Sequence, residues 1–169
     1  MFDTNYSFKG THAVEVKKLT GAIEDYSKIF ERNMDVYKIA PIVGFIYKKR
    51  VKLNSENGVT REIPLETLSK EKEFMEFSYK LIMLLDEEYE KDFEKRKENA
   101  FKYSGKEVPE KNIERFESYV RGGVEILSGK LLTLNKDYDE TMSKILSFLE
   151  EIISSDPNLS AEQFIEYIK

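Results

Sequence analysis

The chain contains no cysteine and no tryptophan, and one histidine, His12. Without cysteine there are no disulfides, no thiolate nucleophile and no cysteine-ligated zinc or iron–sulfur site. The absence of cysteine also suits a reducing compartment. A single histidine cannot supply a His-based zinc site within one chain, and the di-iron helical bundles need two Glu-x-x-His motifs. HEPN-type ribonucleases place an arginine shortly before a histidine, and no arginine precedes His12. His12 is expected to be an ordinary first-turn residue of a helix. A general base is the alternative role, with no nucleophile beside it in sequence.

Long apolar runs are also missing. The longest uncharged stretch is Ile39-Ala40-Pro41-Ile42-Val43-Gly44-Phe45-Ile46-Tyr47, whereas a membrane-spanning helix needs about 20 residues. The stretch reads as buried core or as a surface for another protein. The N-terminus, Met1-Phe2-Asp3-Thr4-Asn5-Tyr6, lacks the basic-then-apolar layout of a signal peptide. A soluble, cytoplasmic protein with no membrane contact is the expectation.

The 169 residues fit one helical domain, 1–169, with enough apolar residues (40%) for a core. Charged residues make up 35%, and the net charge is −5. The surface as a whole therefore does not invite free nucleic acid. The Lys, Glu, Ile and Asn usage is that of an AT-rich bacterial genome.

Apolar residues recur three and four apart through most of the chain, the mark of amphipathic helices. Val16, Leu19, Ile23, Tyr26 and Phe30 form one such row, which Met34 and Tyr37 extend, with Thr11 as its expected N-cap. Gly21 interrupts the row as a close contact or a break. Asn33 and Asp35 can start a second helix, and Pro41 should begin or kink it. Leu68 opens a long helix with two rows, Phe74-Phe77-Leu81-Leu84 and Met75-Tyr79-Ile82. Apolar residues this far round predict a central position in the bundle. The helix is expected to run on through 86–96, with Glu87–Lys91 and Asp92–Arg96 as surface pairs and Ser104-Gly105-Lys106 as its end.

Pro109 suits the first turn of the next helix, whose row is Ile113, Phe116, Val120, Val124, Leu127, Leu131 and Leu134. Asn135 or Asp137 caps a further helix with the core row Tyr138, Met142, Ile145, Leu149 and Ile152. Asp156-Pro157 breaks it. Ser160 and Gln163 form a capping-box pattern for a terminal helix with Phe164, Ile165 and Ile168 on its apolar side. Residues 51–63 differ: Val51, Leu53, Val59 and Ile63 alternate around the turn signal Asn57-Gly58. The fold class is therefore all-α, a bundle of about five to seven helices with a possible short β-hairpin near residues 51–63.

Chemistry-bearing clusters are few. The carboxylates Glu87, Glu88, Glu90, Asp92 and Glu94 alternate with lysines, as on a solvated helix face. A Mg²⁺-dependent carboxylate site is the minority reading. Asp137 and Asp139 lack the glycine and closing glutamate of a calcium loop. No metal site and no cofactor are expected. Gly122-Gly123 has no strand before it, so it is not a nucleotide-binding turn. In a helix the pair implies a close backbone approach or a break, and a close approach would lie within the domain or against a partner. Lys48, Lys49, Arg50 and Lys52 form the compact basic cluster. It reads as a solvated helix end, or as a contact for nucleic acid or another polyanion. Its likeness to a nuclear-import signal is weaker.

The leading functional expectation is a non-enzymatic helical protein that binds other proteins, as a homo-oligomer or as a small subunit of a larger complex. Gly122, Gly123, Pro41, Phe45 and Tyr47 are its candidate contact residues. The second reading is a nucleic-acid-associated accessory factor, for example of a bacterial defence or mobile-element system, acting through Lys48, Lys49, Arg50 and Lys52.

Overall fold

A computed structural model describes residues 1–55, 58–103, 107–134 and 137–154. Within them are two strands, β1 (Tyr6–Lys9) and β2 (Thr60–Ile63). The helices are α1 (Gly10–Leu19), α2 (Asn33–Ile46), α3 (Leu65–Lys70), α4 (Lys72–Leu85), α5 (Phe93–Phe101), α6 (Glu110–Leu131) and α7 (Tyr138–Ser154). The class is all-α, as expected. Asn57, Ser104-Gly105-Lys106, Asn135, Asp156-Pro157 and the terminal-helix residues Ser160, Gln163, Phe164, Ile165 and Ile168 lie outside the described residues.

The small sheet falls in the expected region, but its first strand comes from the N-terminus. Tyr6 pairs with Ile63 and Phe8 with Arg61 in antiparallel register. Phe8 and Ile63 are buried, and the Tyr6 ring stacks on Tyr37 with centroids 3.9 Å apart. Those contacts favour the N-terminal strand over Val51–Leu53. Gly58 adopts a left-handed φ of +65°, as the turn signal requires.

The row Val16–Tyr37 is not one helix. The chain leaves α1 at Thr20, and Gly21 takes φ +69°, a conformation that cannot continue a right-handed helix. The N-cap is Lys9, in extended conformation, and not Thr11. The next helix does start at Asn33. The backbone N–H of Arg32 donates to the Asp35 carboxylate (3.0 Å), and the Arg32 guanidinium pairs with the same group (2.7 Å). Pro41 neither begins this helix nor ends it: it is buried in the interior of α2.

The predicted long helix from Leu68 is three pieces. Pro64 precedes α3, Glu71 separates α3 from α4, and residues 86–92 are non-helical, with a turn at 87–89. Asp92 caps α5 by accepting from the N–H groups of Glu94 (2.9 Å) and Lys95 (3.2 Å). Arg96 is therefore not its surface partner. Arg96 is buried and donates to the carbonyls of Leu84, Glu90 and Lys91, tying the turn to α5.

The central helix is α6, not α4. Its row Phe116, Val120, Val124, Leu127 and Leu131 is buried, against α2 above all and against α1, α4 and α7 as well. Leu134 lies past its end and is exposed. Glycines set the α2–α6 crossing. A methyl on Gly123 would sit 1.8 Å from the Ala40 carbonyl oxygen, on Gly122 1.9 Å from that of Lys49, and on Gly44 2.0 Å from that of Tyr119.

Candidate interaction surfaces

Of the expected contact residues, Gly122, Gly123 and Pro41 are buried in or beside the α2–α6 crossing. Phe45 is half-buried, edge-on to Tyr119 at 5.4 Å between centroids. Tyr47 is half-buried and stacks on Phe148 of α7 at 6.2 Å and 11°, with the Lys130 ammonium 5.3 Å from its centroid. Burial, reinforced by the Glu151 carboxylate, pushes its hydroxyl up to about 12. Gly122, Gly123 and Phe45 thus belong to the packing of α2 on α6, and Tyr47 to the contact with α7.

The basic cluster follows α2 rather than forming its end. The chain beyond Tyr47 runs along α6, held by the Val51 N–H to the Ser118 carbonyl (3.0 Å) and by Arg121 to the Val51 carbonyl (2.7 Å). Lys49 pairs with Glu125 (2.8 Å) and Arg50 with Glu88 (3.2 Å). Lys48 and Lys52 are exposed. Among the described residues neither Lys48 nor Lys52 has an ion-pair partner.

The carboxylate run is dispersed. Glu87 meets Arg96, Glu88 meets Arg50, and Glu94 meets Lys97, while Asp92 is a helix cap. Among the described residues no group of three or more His, Asp or Glu side chains is placed to hold a metal ion. No described helix is long and apolar enough to cross a membrane.

Three polar features escaped the sequence reading. His12 does lie in the first turn of α1, but it is buried, and neither ring nitrogen has a hydrogen-bond partner among the described residues. Its Nε2 lies 3.3 Å from Glu125 Oε1 without hydrogen-bond geometry. Glu117 accepts from the hydroxyls of Tyr6 (2.8 Å) and Tyr37 (2.9 Å), and burial pushes its carboxyl up despite them. Asp86, Arg115 and Tyr119 form a third cluster joining the end of α4 to α6.

Two apolar faces also escaped it. On α7 the row expected to be core turns largely outward. The buried positions are Thr141 and Phe148, while Tyr138 (72%), Met142, Leu146 (53%) and Leu149 are exposed. The covered side is anchored by the hydroxyls of Thr141, Thr133 and Ser27. On α4, Met75, Tyr79 and Ile82 are buried, and the Phe74 row is outside. The signal was present: two apolar rows on one helix exceed what a single core contact covers.

The described residues form an all-α bundle carrying a two-stranded antiparallel sheet. Residues 11–162 match the family described as DNA sulphur modification system-associated protein 4, and the chain belongs to that family. Neither the curated proteins nor the solved structures contain a significant match.

Proposed function

We propose that the chain is a non-enzymatic accessory subunit that docks a protein component of a DNA sulphur modification system on the outer face of α7. The observation that carries this reading is the exposed row Tyr138, Met142, Leu146 and Leu149 on a helix otherwise packed by Thr141 and Phe148. Four large apolar side chains at helical spacing are what an amphipathic partner helix recognises. The edge of this row carries Asp139 and Glu150, neither of which pairs with a cation among the described residues. The fitting partner segment is therefore a helix with an apolar face and a basic edge. A second copy of α7 would bring carboxylates against carboxylates.

The test is co-purification with each protein encoded in the same modification locus. Retention of one of them, lost in Met142→Lys and Leu149→Lys variants that melt like the parent, supports the reading. Retention unaffected by both variants moves the docking site elsewhere.

A second reading, nucleic-acid contact through the basic cluster, is favoured by the exposed Lys48 and Lys52 and by association with a DNA modification system. Salt-dependent anisotropy on duplex DNA, with and without the sulphur modification, separates the two.

A further inference from the structure

The register of the small sheet fixes which backbone groups of β1 it uses. The Gly10 N–H donates to the Val59 carbonyl (2.8 Å). Gly10 and Val59 continue the antiparallel register that sets Phe8 opposite Arg61 and Tyr6 opposite Ile63. Hydrogen-bonded pairs alternate along such a ladder. Tyr6, Phe8 and Gly10 therefore direct their backbone groups at β2, while the N–H and C=O of Ser7 and the N–H of Lys9 point the other way. None of those three groups bonds to a described residue.

This free edge lies in a groove. Residues 5–9 line a cavity of about 390 Å³. Five consecutive residues line it because it runs along a strand edge, where a strand face would offer only alternate ones. Its other walls include Ile113, Glu114, Glu117 and Arg121, which share one face of α6 by their spacing, and Leu53, which is 52% exposed. Ser7 is half-buried, and backbone polar groups withdrawn from water are ordinarily paired. His12 lines the same groove, with both ring nitrogens unpartnered among the described residues. Glu114 pairs with Arg121, and Glu117 accepts from Tyr6 and Tyr37. Lys9 has no ion-pair partner among the described residues.

We infer that the groove takes one extended segment of another protein of the modification system, added as a third strand on the free edge of β1, with an acidic side chain toward Lys9. Unpaired backbone donors and acceptors at strand spacing are matched by the backbone of an extended chain. A helix does not match them, because its own backbone groups are bonded internally. A second copy of the chain would bring its own α6 wall along with its β1 edge. The inference rests on the proposed function for the source of the partner, and not for the surface, which is remote in sequence from α7.

The test uses synthetic peptides that tile the other proteins encoded in the modification locus, read by fluorescence anisotropy and by amide hydrogen exchange in the full chain. In the free protein the Ser7 and Lys9 amides should exchange fast and those of Phe8 and Gly10 slowly. A bound peptide should protect Ser7 and Lys9. Ser7→Pro removes an outward donor and leaves the β1–β2 ladder intact. It should melt like the parent and weaken the peptide at least about fivefold, whereas Met142→Lys on α7 should bind it unchanged. Methylating the peptide nitrogens one at a time gives a readout that needs no protein variant to fold. Losses should fall at alternate residues, since only every second N–H of an added strand faces β1. The absence of any binding tile overturns the proposal, as do losses that do not alternate. Binding abolished by Met142→Lys and kept in Ser7→Pro overturns it in favour of α7. Protection of Ser7 that appears on concentrating the free protein overturns it in favour of a second copy.

Discussion

Asp86 and Arg115 form a bidentate ion pair inside the protein, with Nε to Oδ2 at 2.6 Å and Nη2 to Oδ1 at 2.8 Å. The Tyr119 hydroxyl donates to the same carboxylate (2.9 Å), as does the Tyr89 backbone N–H (3.1 Å). The guanidinium lies 5.2 Å from the centroids of both the Tyr89 and Tyr119 rings. Asp86 is 2% exposed. One carboxylate at the end of α4 thus fastens the following turn to the central helix. The same turn is held from α5 by Arg96.

Breaking that pair from one side leaves a buried charge without its partner. Arg115→Ala should cost about 3–5 kcal/mol, read as a lower midpoint in urea. Burial opposes ionisation of Asp86, but the Arg115 and Tyr119 hydrogen bonds outweigh it and hold the carboxyl below its ordinary 3.8. Its folded-state value is therefore depressed. The stability it contributes is present above the unfolded value and is lost as pH falls through the folded one. Asp86→Asn should lower the melting temperature at pH 7 and lose less of it than the parent does on acidification below about pH 4. An equal acid loss in both proteins would place the titrating group elsewhere.

The glycines of α6 separate into two kinds. A methyl on Gly122 or Gly123 meets a backbone carbonyl oxygen of the α2 side within 2 Å, and backbone cannot rotate away. Either alanine variant should lose at least about 1–3 kcal/mol by overpacking. Because the carbonyls belong to the same chain, the loss should not change with protein concentration. Gly129 lies in the same helix, and a methyl there would have nothing within 4 Å. Gly129→Ala should therefore gain about 0.5–1 kcal/mol from helix propensity. Thermal melts of the three variants at two concentrations check all three signs. Stabilisation by Gly123→Ala would contradict the crossing geometry.

The basic cluster makes a contrasting case. Replacing Lys48, Lys49 and Arg50 by Gln removes two ion pairs whose members are all more than a third exposed. Exposed pairs contribute between about zero and 1 kcal/mol each, so the triple variant should melt within a few degrees of the parent. Any DNA binding by the parent should weaken, with a shallower salt dependence. Binding that keeps its salt slope would clear the cluster of a role.

The elements that were legible in sequence are those whose local signals agree with their packing. The α6 row from Phe116 to Leu131 is buried where its spacing placed it, and Asp137 does cap α7 by accepting from the Glu140 N–H (2.9 Å). The Gly122-Gly123 pair did announce a close backbone approach. Periodicity failed where it ran across a break, because Ile23, Tyr26 and Phe30 continue the spacing of Val16 and Leu19 past a left-handed Gly21. It also cannot say which apolar row faces inward. Met75 and Phe74 are equally apolar neighbours, and the choice depends on where α6 lies. Strand pairing between Tyr6–Lys9 and Thr60–Ile63 joins segments far apart in sequence, for which no local signal exists. The polar clusters were illegible for the same reason: Asp86 meets Arg115, and Glu117 meets Tyr6, only through the fold.

His12 carries the last prediction. It is buried between α1 and α6, where Glu125 and Arg121 face it from α6 and Glu15 from its own helix, and Lys49 holds the far oxygen of Glu125. Burial lowers its pKa below 6.5, Glu125 opposes that shift and Arg121 adds to it. With the folded value depressed, the unfolded chain binds the extra proton first as pH falls. Stability should therefore be full above 6.5, decline as pH drops through that value, and level off below the folded pKa. His12→Leu removes the titration and both unpartnered ring nitrogens while keeping a side chain of similar bulk. The variant should show no decline between pH 7.5 and 5.5 that the parent shows through His12, and at neutral pH it should be more stable by about 1 kcal/mol. Melting temperature against pH for the two proteins is the measurement. A parallel decline in both would assign the titration to another group, and a variant less stable at neutral pH would mean that the imidazole nitrogens are hydrogen-bonded in solution.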